Sequence, residues 1–373
     1  MKARLGAVLF GIGFFAVVLA AGIAFYVAPS AARLPYDLKL CTPEVTEDCL
    51  KPSIAEAKNA RFLYTEGGSN PVVKIETGTL QSTTEIKPLV DTTSEELKSG
   101  KIDENTVIWS AYGTVIWAEE DKVVSAYEAR LAIDRKTAAA VEWYGQELDD
   151  VAKGEGFPPQ AAEDVSFTGQ LYKFPFGTEQ KTYQYFDRDL KKALPIEFKG
   201  VEDIQGLETY KFEQVIAETP LNFSDERIKS LLGAFATPDA TSAQVTYANT
   251  RTIWVEPVSG TFVKVQEQQR KKLVPNVGQP TDLLEGVFAY TDETVDNSVE
   301  SASANKSQVL LISRYLPIGA AVLGSILLIV GLWMVSTSRK PAPAKHAVAG
   351  KHEEVVEQTA SVGPVKDDGS TTS

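Results

Sequence analysis

The sequence predicts an α+β protein: a β-rich ectodomain carried between an N-terminal and a C-terminal transmembrane helix. Two uncharged apolar runs lie near the ends of the 373-residue chain, each at least the ~20 residues that cross a bilayer's hydrocarbon core as a helix. Between them, short alternating apolar and polar runs recur between turn residues, the period-two mark of strands with one wet face. Helical patterning in that middle region is sparse.

The first apolar run extends from Leu5 to Ala32, with residues 5–28 as the span and 1–4 as a short flank bearing Lys2 and Arg4. Basic residues before a span leave that end in the cytoplasm. A cleaved secretory signal is the alternative, since Ala28-Pro-Ser-Ala-Ala32 offers a peptidase small residues, but the run exceeds the roughly 7–15 residues of a signal's apolar core. Ala16, Ala20 and Ala24 form a small-residue stripe at helical spacing, on which a second membrane helix packs closely. Gly11-Ile-Gly13-Phe-Phe-Ala16 matches a dinucleotide-binding fingerprint, yet lies inside the span with no strand before it.

The second run, 315–338, is bounded by Arg314 and by Arg339-Lys340, with Lys345 and Lys351 beyond. Its basic side is C-terminal, so both termini are expected in the cytoplasm, with 33–314 external. Ala320 and Gly324 are placed to receive the alanine stripe. Residues 339–373 have the composition of a disordered tail. The N-terminal flank is basic and the tail has equal numbers of acids and bases, so the ectodomain holds more than the whole formal net charge of −13. Such a surface repels phosphate backbones and disfavours nucleic acid.

Within the ectodomain, 33–60 is polar and proline-punctuated, a stalk. Cys41 and Cys49, the chain's two cysteines, sit in it, and an exported location favours a disulfide between them. A metal site is not expected, because two sulfurs without a nearby histidine do not complete a tetrahedron. Strand-like runs follow at Arg61–Thr65, Val72–Thr77, Val107–Trp117, Val123–Ile133, Val141–Tyr144 and Leu171–Phe174. Ala132–Val141 and Trp254–Val263 share one pattern, strand, acid, turn, hydroxyl residue, strand, which two independent hairpins also produce. Ser224–Phe235 opens on a serine cap with acids in its first turn. Ile228, Leu231, Leu232 and Phe235 then make one apolar stripe. Its stripe is buried either in the domain's own core or over an apolar portal. A second helix is expected from Tyr144 to about Lys153.

Both histidines, His346 and His352, are in the tail, so the ectodomain has none. That excludes Ser-His-Asp and Cys-His machinery and histidine-ligated zinc there. A carboxylate-pair glycosidase remains open, but the acids are dispersed among lysines as on a solvated face. No catalytic residue, cofactor or metal is assigned, and a non-enzyme is expected. The densest aromatic stretch, Gly169–Asp187, includes Phe174, Phe176, Tyr183 and Tyr185, either as core packing or as walls for an acyl chain.

GQLYKFPFGTEQKTYQYFD at 169–187, Glu202–Phe212, and Tyr247–Gln268 with its Trp254-Val-Glu-Pro-Val-Ser-Gly260 resemble the actinobacterial "porin A-like" family, over nearly all of the chain but the tail. Members of polar-growth-factor type are implicated in polar growth and in mycolate glycolipid or lipoglycan traffic. The two-anchor plan is also similar to scavenger receptors and lysosomal integral membrane proteins. The resemblance implies an antiparallel, barrel-like ectodomain with a lipid tunnel. It implies a lipid- or glycolipid-binding factor for envelope assembly, with a trehalose-monomycolate-like cargo and an inner-membrane transporter of resistance-nodulation-division type as partner. The lipid-lining candidates are Ile228, Leu231, Leu232, Phe235, Phe174, Phe176, Tyr183 and Tyr185. A scaffold recruiting elongation or lipoglycan machinery without binding lipid is the alternative. The word "porin" is set aside on physical grounds: an outer-membrane barrel needs an apolar outward face, whereas basic-flanked helical anchors argue for a two-pass protein of the cytoplasmic membrane with its ectodomain in the periplasm.

Overall fold

The computed structural model describes residues 2–39, 41, 49–66, 72–149 and 163–338. The tail at 339–373 lies outside them, as do residues 150–153 of the expected second helix. At its N-terminus α1 (Lys2–Gly22) runs through a π-helical stretch (Ile23–Val27) into α2 (Ala28–Ala31). At the other end α5 (Asp292–Leu310) passes through a π-helical stretch (Leu311–Tyr315) into α6 (Leu316–Thr337). Both helical rods are long and apolar enough to cross a membrane.

Between them the described strands are β1 (Ser53–Glu66), β2 (Val72–Pro88), β3 (Thr106–Trp117), β4 (Lys122–Asp134), β5 (Ala139–Val141), β6 (Glu147–Asp149) and β7 (Gly169–Gln170). They continue with β8 (Tyr183–Asp187), β9 (Lys192–Ile204), β10 (Leu207–Leu221), β11 (Ala243–Val255), β12 (Phe262–Pro275) and β13 (Thr281–Tyr290). The order β3-β2-β1-β13-β12-β11-β10-β9-β8-β7-β5-β4 is closed by pairing of β3 with β4, so twelve strands form a barrel and β6 pairs beside it on β4. The pairings are antiparallel apart from β7 with β8. Two further helices, α3 (Val90–Lys98) and α4 (Asp225–Phe235), pack against it. The β-rich, barrel-like α+β expectation therefore stands.

Alternation sets what faces where. On β12, Gln266, Gln268 and Arg270 are exposed while Glu267, Gln269 and Lys271 line the interior. Lys74, Glu85, Lys87, Glu197, Lys199 and Glu285 are likewise exposed on the outer wall. That wall is charged, unlike the apolar band of a lipid-facing barrel.

Four local expectations change. Ser53–Ala60, expected in the stalk, is the first half of β1 and pairs with β2 and β13. Val141–Tyr144 leaves the sheet after Val141, and Glu147–Asp149 is strand rather than helix, because it pairs with Glu128–Arg130 of β4. Leu171–Phe174 is loop, with only Gly169–Gln170 in the sheet. The two look-alike hairpins, by contrast, share one turn geometry. Ala138 and Gly260 have φ of 55° and 73°. Their N–H groups donate to the carbonyls of Asp134 and Glu256, each at 2.8 Å. The acidic side chains accept from Thr137 N–H at 2.6 Å and Ser259 N–H at 2.7 Å.

Rods α1 and α6 pack antiparallel, but not through the alanine stripe. A Cβ on Gly6 would lie 2.8 Å from the Gly331 carbonyl, and one on Gly13 2.7 Å from the Gly324 carbonyl. Gly6, Gly13 and Ala20 are buried on α1, and Pro317, Gly324 and Gly331 on α6. A seven-residue repeat stays on one helix face, and glycine lets the backbones touch. Of the expected contacts, Ala20 and Gly324 are part of this seam.

Candidate functional site

The barrel encloses a cavity of about 1750 Å³. At one end it reaches α4, where Phe223, Ser224, Glu226, Arg227, Ser230 and Leu231 line it. Ser224 is the helix cap, its hydroxyl accepting from the Arg227 N–H. At the other end it opens along α5. Thr294, Asn297, Ser298, Ser301, Asn305 and Gln308 line it there, and their spacing by threes and fours puts them on one helix face. Thr291 caps that helix by accepting the Thr294 N–H at 3.2 Å. Glu300 and Ala304 of the same helix line it too, so the stripe is polar with one acid; small polar residues at helical spacing were its only sequence signal.

A charged array lies on the part of the lumen wall formed by β8 and β10 to β12. Arg251 on β11 donates through Nε to Glu267 Oε1 at 2.8 Å, through Nη1 to Gln214 Oε1 at 2.5 Å, and through Nη2 to Asp187 Oδ2 at 3.2 Å. Asn249 and Gln269 also donate to Glu267, at 2.9 and 2.7 Å, and the Tyr247 hydroxyl donates to Asp187 at 3.0 Å. Nearer α4, Lys271 Nζ donates to Asp189 Oδ1 at 2.5 Å. Burial alone would raise the Glu267 carboxyl, but the Arg251 charge and three donors outweigh it and hold it below the ordinary range. Asp189 is depressed in the same way by Lys271 and Arg188 against its burial. Arg251 stays charged because Glu267 and Asp187 outweigh its own desolvation. Tyr290, also on the cavity wall, is pushed up to about 12 by burial.

The candidates named from sequence fall into separate places. Leu231 is 3% exposed and packs with Ile228 and Phe235 in a core cluster around Val245 and Tyr247, while Leu232 is half-buried. The helix is thus both core and a wall of the distal mouth. Phe174 is fully buried against Tyr185, Phe212 and Ile253, with Tyr183 beside it; Phe176 packs on a different cluster. Of the eight, Leu231 and Tyr185 line the cavity. The conspicuous 169–187 and 254–260 motifs lock onto each other: Phe174 N–H donates to the Gly260 carbonyl at 2.9 Å, and Thr178 N–H to the Pro257 carbonyl at 2.7 Å. Cys41 and Cys49 are disulfide-bonded. Among the described residues no group of three or more His, Cys, Asp or Glu is placed to hold a metal.

A family model described as Porin PorA matches residues 5–333. The chain is 26% identical over 306 residues to a protein named Porin PorA from Corynebacterium amycolatum, covering 72% of this chain and 77% of that one. It is 37% identical over 105 residues to a Porin PorA from Corynebacterium resistens, covering 28% of this chain and 25% of that one. These matches bear out the family resemblance and correct what was inferred from it. With relatives named porins and a sheet that closes on itself, the lipid- or glycolipid-binding function falls, and with it the mycolate cargo, the polar-growth role, the scaffold alternative and the transporter partner. The two-pass placement in the cytoplasmic membrane falls on the same findings. The misreading was physical: a barrel with a charged outer wall does not read in sequence as a porin, and the two helices dominated the reading.

Proposed function

We propose that this chain, which belongs to the Porin PorA family, is a non-enzymatic channel of the cell envelope that passes small hydrophilic solutes through its barrel lumen. One observation carries the reading: a cavity of about 1750 Å³ runs through the closed barrel from α4 to the polar face of α5, its wall mixing apolar side chains with charged and hydroxyl groups. The relatives' naming as porins supports it and points to the outer membrane. Because the barrel's outer wall is charged, hydrocarbon is met by the α1–α6 rods, whose backbone groups are satisfied internally. Two helices per chain do not enclose a path, so the channel is an assembly of several copies whose barrels extend the path as vestibules.

The test is conductance of the purified full-length chain in planar lipid bilayers, with and without a Ser82→Cys change. Ser82 lines the lumen, and Cys41 and Cys49 are bonded, so the introduced thiol is the one reactive group. Stepwise conductance that falls when a charged thiol reagent is added to the variant, and not to the parent, is the expected result. Folded protein without conductance, or a variant that labels without any change in conductance, overturns the reading.

A further inference from the structure

On the channel reading, one stretch of the lumen wall names the class of solute that lodges there. The pairing registers set out that wall from β13 round to β4. Tyr290 of β13 faces Ala55 of β1, Ala55 faces Ser82 of β2, and Ser82 faces Val115 of β3. Two residues along the same strands, Ser53 faces Thr84, Thr84 faces Gly113, and Gly113 faces Tyr127 of β4. Two tyrosines four strand steps apart, about 19 Å, thus bracket a floor of short side chains. Tyr290, Ala55, Ser53, Ser82, Thr84 and Tyr127 all line the cavity. Among the described residues, none of those lining it from β13 or from β1 to β4 is charged. A Cβ on Gly113 would collide with the Tyr127 ring, so that ring lies across the β3 backbone, and the Arg188 guanidinium sits 3.9 Å from its centroid. Tyr127 is therefore a fixed edge of the hollow. Tyr290 differs: its ring is half-buried on the cavity wall, and among the described residues it stacks on no other ring and under no cation.

We infer that this hollow binds small solutes that join an aromatic ring to an amine or similar hydrogen-bond donor, with Tyr290, Ser82 and Glu267 as its specificity-determining residues. A flat ring fills the space over Ala55 and Ser82 and meets the Tyr290 ring beside it, where paired aromatic rings attract beyond the area they bury. Glu267 meets the donor end. It faces Phe288 on β13 and so stands diagonal to Tyr290, within reach of long side chains. Its side chain is 19% exposed against 9% for Arg251. Glu267 Oε2 accepts from Arg251, Asn249 and Gln269, while Oε1 accepts from Arg251, which leaves Oε1 a lone pair for the solute. Concave, largely uncharged walls with a few placed polar groups are the general form of a small-molecule site.

Isothermal titration calorimetry of the full-length protein in detergent, against a detergent blank, tests this with phenethylamine, ethanolamine and 2-cyclohexylethylamine. Phenethylamine is expected to bind at least about ten-fold more tightly than ringless ethanolamine, the gain from burying a phenyl ring. It is expected to exceed 2-cyclohexylethylamine, of like size and charge, by at least about two-fold. Ser82→Leu, which fills the floor, weakens phenethylamine by about ten-fold or more. Tyr290→Leu and Glu267→Gln each weaken it by at least about two-fold, whereas Tyr290→Phe and the mouth variant Glu226→Gln keep the parent affinity. Equal binding of phenethylamine and either comparison amine overturns the inference, as does parent affinity in Ser82→Leu. If Ser82→Leu fails to fold by circular dichroism, Tyr290→Leu against Tyr290→Phe decides. Planar-bilayer conductance of the parent is read separately. Binding without conductance overturns the channel reading and leaves the site standing; conductance without binding overturns the site alone.

Discussion

Arg251→Met removes the one cation that holds Asp187 and Glu267 together inside the barrel. Arg251 is 9% exposed and Asp187 1%, so the orphaned carboxylates have little access to water. Breaking a buried pair from one side costs ~3–5 kcal/mol. Here Asp187 keeps the Tyr247 hydroxyl and the Leu190 N–H, and Glu267 keeps Asn249 and Gln269, which places the loss near the lower end, ~3 kcal/mol. The pH dependence has a definite sign. The Glu267 carboxyl is depressed in the folded state, so its contribution is present above the unfolded glutamate value of ~4.3 and is lost as pH falls through the folded value. Without Arg251 that depression disappears. The gap between parent and variant is therefore widest at neutral pH and narrows below about pH 4. Urea unfolding in detergent, followed by tryptophan fluorescence across pH 3–8, measures it. A neutral-pH loss under ~1 kcal/mol, the range of an exposed pair, or a gap that ignores pH would refute a closed, desolvated array.

Four further outcomes follow from the structure. Leu231→Ala is expected to cost ~2–5 kcal/mol of unfolding free energy, since its side chain sits in the Val245–Tyr247 cluster; a loss under ~1 kcal/mol in urea would show that α4 merely rests on the mouth. Gly260→Ala should cost more than ~2 kcal/mol, because φ is 73° and its Cβ would fall 2.1 Å from the Phe174 carbonyl. Ala138→Gly, at the matching turn, should change stability by no more than ~0.5 kcal/mol, as relief of positive φ offsets a lost buried methyl; equal costs at the two turns would contradict their roles. Reducing Cys41–Cys49, which closes a short loop, should lower the unfolding free energy by ~2–3 kcal/mol or less while the barrel's circular dichroism persists. Collapse of the strand signal on reduction would show that the stalk is integral to the barrel.

Most of the architecture was legible where the sequence period was strong. The helical rods, the strand alternation of β3 and β4 and the Ser224 cap follow from local pattern, because each is decided within a dozen or so residues; the shared turn geometry of the two hairpins was left open by it. What was not legible is decided by partners far apart in sequence. Barrel closure needs β1 on β13 and β5 on β7, and nothing in either strand names its neighbour. The charged array draws Asp187, Arg251 and Glu267 from three strands. Singly, each reads as an ordinary solvated charge. The aromatic motif at 169–187 attracted attention as a cavity wall, but Phe174 is fully buried against Phe212 and Ile253; residue type alone does not separate a core from a lining.

The same physics explains why the helix seam lay elsewhere than the alanine stripe. Ala16, Ala20 and Ala24 recur every four residues, a spacing that drifts around a 3.6-residue helix, whereas Gly6, Gly13 and Ala20 recur every seven and stay on one side. On the facing rod, Pro317, Gly324 and Gly331 have the same interval and are buried. Contact through glycines leaves Phe10, Phe14 and Phe15 of α1 and Ile329, Leu332 and Trp333 of α6 exposed on the outer faces. The rods therefore spend their small residues on each other and present their large ones outward. The barrel does the converse, with charge outward and its mixed wall around the lumen. On the proposed channel reading, apolar contact with the membrane and polar contact with solute fall to different parts of one chain.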